Sequence, residues 1–125
     1  MFILKSFFFA LIIITLCKEA YARPLTASYY TKESCKKEGT GILTATGEIY
    51  NEEDLTCAMR RRDFGKYYKI TNQENGKSVI VRHNNFGPNK KLHDAGRIVD
   101  LSRKAFEQIA DLDKGVIKIT IEEVK

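Results

Sequence analysis

Apolar and polar side chains alternate along the end of the chain, with Ile117, Ile119 and Ile121 set against Lys118, Thr120 and Glu122 in a run from Val116 to Val124. A period of two sends successive side chains to opposite faces, so this segment reads as a half-buried β-strand rather than an amphipathic helix. The same period appears in Tyr67-Tyr68-Lys69-Ile70-Thr71 and, beyond Asn75-Gly76, in Lys77-Ser78-Val79-Ile80-Val81-Arg82. Asn-Gly between two such runs is the strongest short-range hairpin signal. Ala27-Ser28-Tyr29-Tyr30 and Gly41-Ile42-Leu43-Thr44-Ala45 are further short runs of strand type, bounded by polar residues or glycine. One segment alone has helical spacing: Ala105, Phe106, Ile109 and Ala110 share a face behind Ser102, a capping residue, and Asp111 to Gly115 end the pattern. Asn84 to Gly96 reads as loop. Roughly five to seven short strands with one short helix leave many edges to protect, and a small closed barrel removes them.

The start of the chain decides the compartment. Lys5 precedes an almost unbroken apolar run from Phe7 to Leu16, and Ala20-Tyr21-Ala22 has the small-x-small pattern of a signal-peptidase site. The run is shorter than the roughly 20 residues that a membrane-spanning helix needs. Residues 1–22 are therefore expected to be a signal peptide and residues 23–125 one domain, periplasmic or secreted, with no membrane span. Lipoprotein processing at Cys17 is the rival, but it calls for a small residue where Leu16 stands.

Export changes how the remaining residues read. Cys35 and Cys57 are left once Cys17 is removed, and an even count in an exported chain points to a disulfide. Such a bond would close a loop of about 22 residues, worth roughly 3 kcal/mol. The leader carries a net +1 from Lys5, Lys18 and Glu19, so the formal charge of +5 becomes +4. The basic residues are scattered among acids, which argues against nucleic acid, while carboxylate-bearing wall polymers match better. Arg60-Arg61-Arg62 is the one dense cluster, and such runs are usually solvated edges. Two histidines and a cysteine pair offer no metal-ligand cluster, so no metal or cofactor is expected. A monomer is expected.

The order of motifs carries a resemblance. Ala27-Ser28-Tyr29-Tyr30, Thr44-Ala45-Thr46-Gly47-Glu48, Leu55-Thr56-Cys57-Ala58-Met59 and Asp63-Phe64-Gly65 are followed by Ile70-Thr71-Asn72 and Asn75-Gly76-Lys77-Ser78-Val79. Asn85-Phe86-Gly87-Pro88 and Arg97-Ile98-Val99-Asp100-Leu101-Ser102 complete the set. The chain resembles the rare lipoprotein A (RlpA) family over about residues 26–124. The resemblance implies an all-β fold, a six-stranded double-psi β-barrel. It also implies an endolytic lytic transglycosylase acting on peptidoglycan glycan strands stripped of stem peptides. In that reaction the sugar's own 6-hydroxyl attacks in place of water and leaves a 1,6-anhydro end.

The family's polar pocket transfers incompletely. Its glutamate is present as Glu48, but its histidine position holds Met59, its aspartate position Asn85, and the arginine beside that Phe86. Met has no titratable proton and an Asn amide is no carboxylate base; each lost acid–base partner removes roughly 10² to 10⁴ in rate. If cleavage occurs, Glu48 is the expected proton donor. Asp100 occupies a position where expansins and a related transglycosylase family place an aspartate, and it is either a second catalytic carboxylate or a cap for the helix that follows. His83 is the nearest titratable substitute for the lost base, two residues from Asn85 on the same strand face, and His93 in the loop is a weaker one. Tyr29 and Tyr30 are candidate sugar-stacking residues, of which one must point outward and the other into the core. Thr31 follows them where the family has glycine.

Two functions remain open from the sequence. One is a minimal lytic transglycosylase. The other is a non-catalytic wall-binding protein of expansin type, or a protease inhibitor like the bacterial papain inhibitor that shares the barrel. Glu48 favours the first, Met59 and Asn85 the second.

Overall fold

The computed structural model describes residues 24–37 and 41–125. The leader, its cleavage site and Cys17 lie outside the described residues. Strands β1 (Thr26–Tyr30), β2 (Thr56–Met59), β3 (Tyr67–Asn72), β4 (Ser78–Asn85), β5 (Arg97–Ser102) and β6 (Ile117–Val124) close into a barrel in the order β1-β5-β2-β4-β3-β6. The pairs β1·β5 and β2·β4 are parallel and the other neighbours antiparallel. None of the described helices is long and apolar enough to cross a membrane.

Period-two patterning becomes an inside and an outside. Ile70, Val79, Val81, Ile117 and Ile119 point inward, while Lys69, Ile80, Lys118 and Thr120 point out. The hairpin forms where Asn75-Gly76 lies: Gly76 takes φ +73°, its N–H donates to the Asn72 carbonyl, and Asn75 Oδ1 accepts from the Lys77 N–H. Glycine reaches that left-handed backbone without steric cost.

The described residues contain three short α-helices: α1 (Lys32–Lys37), α2 (Lys90–Asp94) and α3 (Arg103–Ile109). Only α3 has a sequence pattern, because five or six residues hardly complete two turns and show no 3.6 period. Its Ala105, Phe106 and Ile109 are fully buried against the barrel. Gly41–Ala45 is a correction. The segment makes only a bridge, Leu43 to Ile49, and folds back through a turn in which the Gly47 N–H donates to the Thr44 carbonyl. Leu43 and Ile49 stay 63% and 65% exposed, so no apolar face is gained by extending the pairing.

Ser102 starts α3. Its Oγ accepts from the Ala105 N–H at 3.2 Å and donates to the Asp54 carbonyl at 2.6 Å. Losing a cap costs about 1 kcal/mol, and an orphaned carbonyl adds to it. Ser102→Ala should therefore lower unfolding free energy by about 2 kcal/mol in urea titrations, and an unmoved midpoint would show the hydroxyl to be idle.

Candidate functional site

Strand register sorts the expected site residues onto two faces. Leu101 pairs with both Tyr29 and Cys57, and Val99 with both Ala27 and Met59; all six lie in the core or against it. The alternate positions, Ser28, Tyr30, Ala58, Asp100 and Ser102, therefore face outward from the same three strands. There Tyr30, Ala58, Asn85, Phe86, Arg97 and Asp100 line a cleft of about 360 Å³, which α1 also borders through Cys35.

Three of the expected residues thus meet in one place. Asp100 is nearly buried in the cleft wall and accepts from Arg97 Nε at 2.7 Å. The helix cap is Ser102, so Asp100 has no capping role. Asn85 Oδ1 accepts from the Ala45 N–H at 3.1 Å and the Phe86 N–H at 2.9 Å, which ties the Thr44–Glu48 turn to the cleft. Tyr30 stacks on Tyr50 with ring centroids 4.3 Å apart, and the Tyr50 hydroxyl donates to the Tyr30 carbonyl. The Tyr30 hydroxyl is buried beside Asn85 without a well-formed hydrogen bond. Burial pushes that phenol well above its ordinary pKa, so it remains a neutral donor.

The other expected residues stand elsewhere. Tyr29 packs inside against Phe106, centroids 4.8 Å apart. Met59 is a core residue opposite Val99. His83 is fully buried, and a bulge sets it and Asn85 on opposite faces: β4 advances from His83 to Asn85 while β2 advances only from Cys57 to Ala58. One extra residue, Asn84, reverses the side-chain alternation, so the shared face expected from the spacing is not realised. His93 sits on α2, half exposed, beside Asp94. No disulfide joins Cys35 and Cys57, both of which are buried thiols. Their placement explains this: Cys57 faces the barrel interior, Cys35 the cleft on the other side of β2. Burial pushes the Cys57 thiol up to about 12.

Glu48 does not line the cleft. Both its oxygens accept from Arg82, at 2.7 Å each, and Thr46 Oγ1 donates to it at 2.8 Å. This fork holds the carboxyl down to about 2, against an ordinary 4.5. So placed, the carboxyl is held in its ionised form, with both oxygens engaged by Arg82. The contribution of the pair to stability is complete above the ordinary carboxylate range and disappears as pH falls toward 2. A carbon-detected NMR titration should find the Glu48 midpoint near 2, returning toward the ordinary range in Arg82→Gln. An ordinary midpoint in the parent protein would refute the pairing.

Sequence reasoning missed the partners. Arg82 lies 34 positions from Glu48, and Asp63 lies 20 from the His83 that it binds at 2.9 Å. Burial raises the Asp63 carboxyl, but hydrogen bonds from Tyr68 and His83, with Arg61 at 3.3 Å, outweigh it and hold the group below its usual range. His83 Nε2 faces the Asn85 carbonyl at 2.9 Å, so the ring presents a nitrogen to an acceptor on each side and works as a clasp inside the barrel end. Only Arg97, three residues before Asp100, was within reach of a sequence argument.

Comparison with known proteins fits this geometry. A family model described as lytic transglycolase matches residues 22–121. The chain belongs to the RlpA-like double-psi β-barrel family. Over 107 residues it is 41% identical to the endolytic peptidoglycan transglycosylase RlpA of Pasteurella multocida, covering 84% of this chain and 33% of that one. The RlpA of Vibrio cholerae is 41% identical over 96 residues, 77% of this chain and 33% of that one. The chain thus spans about a third of the length of these relatives. Among solved structures, a Streptomyces papain inhibitor aligns with TM-score 0.62 at 22% identity, over 82% of this chain and 93% of its own. A Clavibacter michiganensis expansin in complex with cellohexaose aligns with TM-score 0.59 at 18% identity, over 82% of this chain and 50% of that one. At these identities the two structures bear on the fold alone.

Proposed function

We propose that this protein is an exported peptidoglycan-binding barrel that holds glycan strands in the cleft of Tyr30, Asn85 and Asp100 and cleaves them far more slowly than its relatives. Export rests on the leader sequence, and the glycan on the names of those relatives. The observation that carries the reduced chemistry is the Glu48–Arg82 fork, which leaves the family glutamate ionised and outside the cleft. Transglycosylation needs a proton on the departing glycosidic oxygen and a base for the attacking hydroxyl. Asp100 is the one carboxyl among the described cleft residues, and it is paired with Arg97. An amide at Asn85 and the backbone around Gly87 suit sugar hydroxyls and acetamido groups instead.

A second reading, a working lytic transglycosylase, is favoured by the family match and by the names of the relatives. One experiment separates the two. Glycan strands freed of stem peptides are incubated with the protein, binding is followed by co-sedimentation, and the products are examined by mass spectrometry. The proposal expects strand binding without accumulation of 1,6-anhydro ends. Rapid formation of such ends would establish the enzyme, and absence of binding would overturn the glycan assignment.

A further inference from the structure

Arg60 and Arg62 follow β2, two residues apart, and both lie over one aromatic ring. The Arg60 guanidinium carbon is 5.0 Å and that of Arg62 4.7 Å from the centroid of Phe86. Arg60 also lines the cleft, and its Nη1 donates to the Pro88 carbonyl at 3.4 Å. Among the described residues neither guanidinium has a carboxylate partner within ion-pair distance, whereas Arg61 between them pairs with Asp63 and lies over Tyr68. The middle arginine of the run is used by the barrel, and the outer two lie over Phe86, itself a cleft residue. A run that reads as a solvated edge is in the fold an aromatic ring flanked by two cations.

Flexible arginines on an open surface lose side-chain entropy when they bind an anion. Contact with Phe86 limits that loss, because the ring already confines both groups. Planar guanidiniums match planar carboxylates through paired N–H···O bonds. The cleft beside them has the sugar-binding character described above, and this inference rests on that glycan reading. In peptidoglycan the lactyl carboxyl of muramic acid is an amide when a stem peptide is attached and a free anion when the peptide has been removed. We infer that Arg60, Phe86 and Arg62 form a recognition site for the free lactyl carboxylate of a muramic acid residue in a strand lying in the cleft.

The test measures binding of three polymers at low salt: stripped strands, stripped strands whose carboxyls have been reduced to alcohols, and intact strands carrying stem peptides. The parent protein should bind stripped strands about tenfold more tightly than either of the others. That preference should shrink as salt is raised, because a partly exposed charge pair is screened. Arg60→Gln with Arg62→Gln should bind all three polymers alike, at the weaker level. Arg62→Gln alone alters an exposed side chain, and it should lose part of the preference even if the double variant folds poorly. Phe86→Leu keeps both charges but removes the ring, and should also weaken the preference. Equal binding of stripped and reduced strands by the parent protein would overturn the inference while leaving the cleft reading standing. Equal binding of stripped and intact strands, lost for both in the arginine variants, would assign the carboxylate to the peptide and overturn the lactyl assignment. Failure to bind any strand would remove the glycan reading itself.

Discussion

Asn85→Asp should raise the release of 1,6-anhydro ends from stripped strands by roughly 10²-fold, the contribution of one positioned acid–base partner. The substitution fits the existing framework. Asn85 Oδ1 already accepts from the Ala45 and Phe86 N–H groups, and a carboxylate oxygen accepts both in the same positions. The cleft would then hold two carboxyls, the new one and Asp100, in place of one. Position 85 and Asp100 both pair with Ala58, from opposite sides, so the two carboxyls would flank β2 as the acid and base of glycan chemistry flank the scissile bond. The readout is the rate of anhydro-end formation by mass spectrometry, with strand binding measured alongside. Unchanged turnover at unchanged binding would mean that Asp100 cannot partner position 85. Restoring histidine at Met59 is a poorer route, since that side chain faces Val99 in the core rather than the cleft.

Phe106→Ala should cost about 4 kcal/mol of unfolding free energy, the largest stability effect expected of one substitution here. The ring is fully buried where α3 packs on the barrel and lies against Tyr29. Truncation leaves a cavity bounded by strands that are hydrogen-bonded on both sides and cannot move in to fill it. Tyr29 would also lose its ring partner, though its hydroxyl still reaches the Leu112 carbonyl. A small domain has only about 5–15 kcal/mol in hand, so the variant should unfold at markedly lower urea concentration and temperature. A loss below about 1 kcal/mol would show that α3 does not seal the barrel.

Both outcomes depend on information that the sequence holds unequally. The alternation in β3, β4 and β6, the Asn75-Gly76 hairpin and the Ser102 cap are local: each is a relation among residues a few positions apart, governed by backbone geometry that does not depend on the rest of the fold. The leader and the ordered family motifs are local in the same sense. These features were enough for an all-β barrel with α3 across it, and they brought Tyr30, Asn85 and Asp100 forward as site residues. Which of two adjacent tyrosines faces the cleft followed only from the pairing of Tyr29 with Leu101.

Tertiary structure decided the chemistry. A single extra residue at Asn84 turned His83 away from Asn85, and a register slip of one residue is invisible in a spacing of two. Glu48 stands out in the sequence by its motif alone, but its charge state is set by Arg82, brought to it by the closure of the barrel across 34 positions. The same holds for Cys35 and Cys57, an even pair by count but separated by the two faces of β2. Sequence fixes which groups a strand carries and how they alternate. Electrostatics and hydrogen bonding act through space, over a few ångströms, between segments whose proximity is a property of the closed barrel alone.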